Sequence, residues 1–224
     1  DLQGQGWGSR LLAHVEQAMQ QAGVFWWGSS FALEPQVLRF WQRQGMQLLR
    51  IGASRESASG LPGALVAKLL QSRDSDKHDH VAAELSLLHR QCMFEAPLLV
   101  NAGIIPRDVL NGLGGGENQP ASCENEQRIA ERLQRFAQGG MPLESALGAM
   151  ARWWQIKFPQ PELALAAINA VQVENIPEQF GVQLDRLLRG ELLLSVWLQL
   201  PGGGGRNAMI VVLRRLLSML INRY

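Results

Sequence analysis

Apolar residues recur along the first third of this sequence in two different periods. From Gly8 to Ala22, Leu11, Val15, Ala18 and Ala22 share one face at helical spacing, with Leu12 and Met19 beside them and Gly23 as a C′ stop. This predicts an amphipathic helix. Val24 to Phe31 is a short apolar, aromatic run that reads as a strand. Pro35, at home in a first helical turn, opens a second helix through Gln44, in which Val37, Leu38, Phe40 and Trp41 are apolar and after which Gly45 ends the pattern. Met46 to Ile51 predicts a strand. The Ser- and Gly-rich stretch from Ser54 to Gly60 predicts a turn, and Ala64 to Leu70 returns as a strand antiparallel to the previous one. The predicted order is helix, strand, helix, strand, strand.

At Gln71 the pattern changes. Residues 71–80 are polar and charged without apolar period, the signature of a linker or solvated loop. Beyond it, Val81 to Met93, Gln127 to Phe136, Leu143 to Ile156, Pro161 to Val171, Pro177 to Leu188, Glu191 to Leu198 and Asn207 to Ile221 carry helical apolar spacing. The Gly/Pro-rich stretches Gly112 to Pro120 and Pro201 to Gly205 separate them as loops. The predicted organisation is an α/β part over 1–70, a linker over 71–80 and a mainly α-helical C-terminal domain over 81–224.

With 224 residues, 46% of them hydrophobic, the chain can bury a sizeable core and has room for two modest domains. Lys+Arg 21 against Asp+Glu 20 leaves a net charge of +1, so any basic surface must be local. One local excess stands out. Arg206, Arg214, Arg215 and Arg223 follow Glu191 with no carboxylate among them, a footprint suited to phosphate or, equally, the solvated face of an apolar helix. Cys92 and Cys123 lie far apart, which builds neither a disulfide framework nor a zinc knuckle and fits reduced thiols in a cytoplasmic protein. His78 and His80, with His89 and Cys92 downstream, lack zinc-site spacing, so the expectation is no metal. Leu192 to Leu200 is too short to span a bilayer, and Arg214 and Arg215 break the run from Met209 to Ile221. No membrane or signal segment is expected.

The segment that carries chemistry comes first. Gln3-Gly4-Gln5-Gly6-Trp7-Gly8 has the pattern Q-x-x-G-x-G immediately before the first helix. Glycines let the backbone approach a ligand closely, and loop N–H groups together with a helix N-terminus can face a diphosphate, although such a loop can also be a plain tight turn. The chain opens on Asp1 without an initiator Met and enters this loop at once, where a strand usually precedes it. A fragment of a longer protein is expected.

The continuation narrows the reading. A glycine loop, helix, strand, a helix closing on Trp41-Gln-Arg-Gln-Gly45-Met46, and a further strand resembles the second half of the GNAT-type N-acetyltransferase fold. Phe40-Trp41-Gln42-Arg43, the segment Arg55-Glu56-Ser57-Ala58-Ser59-Gly60, and a helical tail after the last strand resemble the tRNA(Met) cytidine acetyltransferase family. The resemblance covers Asp1 to Leu70 and, beyond that, rests on helical character and placement. It implies that Gln3, Gly4, Gln5, Gly6, Trp7, Gly8 and Ser9 bind the pyrophosphate of acetyl-CoA. The helix bearing Phe40 and Trp41 would flank the pantetheine arm, with Gln36 and Arg43 also at cofactor-contacting positions. At the position of Gln36 the family carries an acid. An Arg at position 43 suits a phosphate, since a guanidinium pairs with it in fixed geometry. The implied whole-protein activity is N4-acetylation of the wobble cytidine of elongator tRNA(Met), with ATP bound by a helicase-like module absent from these residues. The tail would contact tRNA through Arg206, Arg214 and Arg215.

No catalytic residue is assigned. Many members of the superfamily protonate the departing thiolate with a Tyr, but the matching position here is Trp41, whose indole N–H is no acid near neutrality, and the sole tyrosine is the terminal Tyr224. His14 has Leu11 and Ala18 as helical neighbours and reads as a core-edge histidine. Trp153 and Trp154 could stack on bases, but adjacent helix positions diverge, so one ring is expected in the core and the other at its edge. The strand expected before Gln3 is missing, so this chain alone is not expected to acetylate RNA. Two rivals remain open: an acetyltransferase for a protein or small-molecule amine, and a non-catalytic helical interaction module on a degenerate cofactor fold.

Overall fold

The apolar run around Ala64 takes the middle of a three-stranded sheet. In this computed structural model, which describes residues 5–55, 57–70, 75–113, 126–171, 173, 176–177, 179–200 and 204–224, the chain is mixed α/β and mostly helical. It divides into two compact units, Asp1–Cys92 and Met93–Tyr224.

In the first unit α1 (Trp7–Gln21), β1 (Trp26–Ala32), α2 (Pro35–Arg43), β2 (Gln47–Arg55) and β3 (Pro62–Leu69) follow in the predicted order. The sheet order is β1-β3-β2, with β3 antiparallel to both neighbours. Trp26 to Ala32 face Leu69 to Gly63 without interruption, whereas β2 shifts register between Leu48 and Arg50 and again between Ile51 and Arg55. The first shift sets Leu49 as an extra residue opposite β3, a bulge that bends the strand. Gly28 is required by close approach: a Cβ there would lie 2.6 Å from the Val66 carbonyl oxygen.

The first turns of α3 (Ser75–Asn101) belong to this unit. Leu85 joins Leu49 and Ala67 in a small cluster, and the His89 Nδ1–H donates to the Leu48 carbonyl at 2.8 Å. Of the predicted linker, residues 71–74 lie outside the described residues and 75–80 are already helical. The division into units falls inside α3, because the apolar positions from Val81 onward pack on the sheet.

The stripe predicted for α1 is not the one that packs. Leu12, Val15, Glu16 and Met19 are half-buried, while Ala18 and Ala22 are exposed, Leu11 is 66% exposed, and no α1 residue is fully buried. The His14 side chain is exposed as well, which corrects its reading as a core-edge residue. Glu16 turns inward because Lys68 waits there, and polar pairing overrides the apolar count.

The second unit is helical: the end of α3, then α4 (Arg107–Gly112), α5 (Glu126–Ala137), α6 (Leu143–Lys157), α7 (Pro161–Ala170), α8 (Phe180–Leu188), α9 (Leu194–Trp197) and α10 (Gly205–Arg223). The predicted helix Glu191 to Leu198 shrinks to α9, and α4 is an addition. The core gathers Ile129, Leu133 and Phe136 of α5, most of α6, Leu184 of α8, Trp197 of α9 and Leu213, Leu216 and Leu217 of α10. Both Trp153 and Trp154 are buried in it, so neither is a base-stacking platform.

Within that core sits one buried carboxylate. Asp185, 5% exposed, accepts from the Trp154 indole N–H at 2.8 Å and from Arg189 Nε at 2.8 Å, and Arg189 Nη2 donates to the Phe158 carbonyl at 2.9 Å. A buried ion is tolerated only when paired and hydrogen-bonded. Asp185→Ala strands an indole N–H and a half-buried guanidinium together, so a loss of about 2–4 kcal/mol is expected. A urea midpoint within error of the parent would contradict this role.

Candidate functional site

The N-terminus of α1 is built without a side-chain cap. Gly6 stands at the N-cap with φ 78°, a left-handed conformation that disfavours a side chain, and no acidic residue occupies the first turn. First-turn N–H groups have no intrahelical acceptor, so the helix presents donors and the positive end of its dipole. Around them Trp7 Nε1–H donates to Gln5 Oε1 at 3.3 Å, and the Arg10 guanidinium lies 5.4 Å from the Trp7 ring centre. The turn therefore carries a cation and no competing anion. Gln3 and Gly4 lie outside the described residues.

From this turn an aromatic wall runs into the sheet. A Cβ at Gly8 would meet the Phe40 ring at 3.5 Å, so the loop glycine lies against α2. Phe40 packs edge-on to Trp41 with centroids 5.3 Å apart, and Trp41 meets Trp27 of β1 at 6.0 Å and Phe31 at 6.3 Å. Trp41 is half-buried here, a packing residue with no proton to give.

Two polar ties hold α1 in place, one to α2 and one to β3, and sequence reading missed both. Gln44 Nε2 donates to Ser9 Oγ at 2.9 Å, and Lys68 Nζ of β3 contacts Glu16 at 2.9 and 2.7 Å. Neither tie has a sequence signature, since 35 and 52 residues separate the partners. Gln36 and Arg43 stand exposed on α2, seven positions and so about two turns apart on one face. The structure thus brings Gly8 to Phe40 and Ser9 to Gln44, and leaves Trp7, Gln36 and Arg43 at the surface.

An uncapped helix N-terminus flanked by Arg10 and backed by aromatic rings fits a diphosphate followed by a less polar arm. The small Gly8 lets the Phe40 ring of α2 pack directly against the first turn.

In the second unit the three arginines differ. Arg206 is ion-paired with Glu144. Arg214 is half-buried, lies 5.1 Å from the Phe136 ring centre, and donates from Nη2 to the Met141 carbonyl at 3.4 Å, just beyond the end of α5. Arg215 is exposed. Tyr224 packs edge-on to Phe158 with centroids 5.4 Å apart. His78 lies 3.6 Å from Asp79, His80 is exposed, His89 bonds the sheet, and Cys92 is buried; Cys123 lies outside the described residues. Among the described residues no three His, Cys, Asp or Glu side chains gather, and no helix is long and apolar enough to cross a membrane.

No protein-family model matches the chain. Individual proteins do. It is 31% identical over 117 residues to the tRNA(Met) cytidine acetyltransferase TmcA of Haemophilus ducreyi, covering 50% of this chain and 19% of that protein. It is 28% identical over 176 residues to TmcA of Idiomarina loihiensis, 77% and 26% of the two chains, and 31% identical over 166 residues to TmcA of Salmonella typhimurium, 72% and 22%. The matched segment is thus about a quarter or less of each relative's length. Over most of its own length, the chain is related in sequence to part of the tRNA(Met) cytidine acetyltransferases.

Proposed function

We propose that the first unit is the cofactor-binding half of a GNAT-type N-acetyltransferase domain, and that the whole protein N4-acetylates the wobble cytidine of elongator tRNA(Met) in the cytoplasm. The observation that carries the reading is the uncapped α1 N-terminus set against Phe40 and Trp41, in a chain similar to proteins named for this activity. The element order and the antiparallel β3 between β1 and β2 support the fold.

Acetyl-CoA supplies the acetyl group already activated as a thioester. The residues present would bind and orient it. Backbone N–H groups of the first α1 turn and Arg10 would hold the diphosphate, Gln3 and Gly4 of the same sequence motif are proposed as further contacts, and Phe40 and Trp41 would flank the pantetheine arm. Arg43 and Gln36, on the exposed face of α2, are further contacts for the cofactor. The cytidine amine must lose a proton and the departing thiolate must gain one. Trp41 supplies neither, so this unit contributes mainly by positioning. ATP, if the whole protein uses it, has no residue assigned among these.

Gly8→Asp tests the loop. An aspartate in a first helical turn favours the helix, so folding is kept while a negative charge is set where the diphosphate binds. Acetyl-CoA affinity, measured by calorimetry on the folded variant, is expected to fall by at least about tenfold, equivalent to about 1.4 kcal/mol. Equal affinity in the two proteins would remove the loop from the cofactor site.

Trp41→Phe keeps a ring in the wall and removes an indole. Turnover of tRNA by the whole enzyme is expected to change through packing, with its pH dependence intact. The appearance or loss of a limb in the pH–rate profile would assign Trp41 a role in proton transfer and contradict the positioning account.

A further inference from the structure

The arginines of α10 are chemically distinct in their settings, and one groove separates them. Ala137 at the end of α5 and Val211, Arg214, Arg215, Ser218 and Met219 of α10 line a cavity of about 340 Å³. Val211 and Met219 flank Arg215 at i−4 and i+4, and Ser218 is i+4 from Arg214, so these side chains form one continuous surface of the helix. No carboxylate lines the groove, and no ion pair to Arg214 or Arg215 is seen among the described residues.

The charges are not equally available. Arg214 lies across Phe136, reaches the Met141 carbonyl and sits beside Gly139, so its charge is shared with the carbonyl end of α5 while its buried Nε has no partner. Arg215 has no such duty. Arg206, paired with Glu144, is not among the lining residues.

We propose that Arg215, with Arg214 and the Ser218 hydroxyl, forms a seat for a single backbone phosphate of RNA, and that Arg206 stands outside it. The inference rests on the reading of the whole protein as one that acts on tRNA. Two cations and a hydroxyl donor suit a phosphodiester oxygen. Val211 and Met219, 46% and 45% exposed on either side of Arg215, offer apolar surface for the sugar or base of the nucleotide that carries the phosphate.

The test is tRNA affinity of the protein across a salt series, with circular dichroism as the folding check. Each phosphate contact releases about 0.7–0.9 of a counterion. Arg215→Gln is therefore expected to lower the log–log slope by about that amount and to weaken binding several-fold, whereas Arg206→Gln keeps the slope. An unchanged slope in folded Arg215→Gln, or a slope lost in Arg206→Gln instead, overturns the seat while leaving the tRNA reading in place. A parent protein that binds no tRNA overturns that reading itself. Displacement of tRNA by a poly-glutamate peptide that depends on Arg215 would assign the groove to an acidic protein partner and overturn the phosphate seat.

Discussion

The first unit hangs on β3. This strand pairs with β1 from Gly63 to Leu69 on one side and with the bulged β2 on the other, so the two outer strands are joined only through it. Its alternating side chains divide the work. Lys68 points to α1 and its Glu16, while Ala67 points to the Leu85 cluster on α3. Strand pairing is non-local, and here it joins residues more than thirty positions apart: Trp26 faces Leu69. On the sheet that β3 joins, Trp27 meets Trp41, and α2 sets Phe40 against Gly8 and Gln44 against Ser9.

Much of this was legible in the sequence, for identifiable reasons. Pro35 and Gly45 bracket α2 within a residue of its observed ends, because a proline at the first turn and a glycine after the last are backbone requirements. The same logic applies at Gly6, where the left-handed φ before α1 suits the glycine that the sequence places there. The strand at Ala64 was found from its apolar run after the Ser- and Gly-rich turn, but its place between β1 and β2 depends on pairing that no local pattern encodes.

Other features had no local signal. The buried side of α1 follows Glu16, a charged residue, because its partner Lys68 is supplied from far along the chain. The run at 71–80 looked unstructured for want of apolar residues, yet Ser75 onward is carried into a long helix by the apolar turns that follow it. The α10 arginines looked alike as a cluster of charge. Their different fates depend on Glu144, Phe136 and Met141, which come from other helices or the turn between them. Asp185 gave no hint of burial either, since its i+4 pairing with Arg189 reads as a surface ion pair and its other partner, Trp154, comes from another helix.

One feature of α1 bears on how it would behave in time. A helix with no fully buried residue, held by half-buried apolar side chains, a hydroxyl bond and a partly buried ion pair, resists local opening less than the sheet does. Its amides should exchange with solvent far sooner than those of β3, which lie in the middle of the sheet. A ligand seated on the first turn of such a helix does more than occupy it. Part of its binding free energy goes into closing the helix down, so affinity and local order rise together, and the exchange rate of α1 becomes a direct gauge of occupancy.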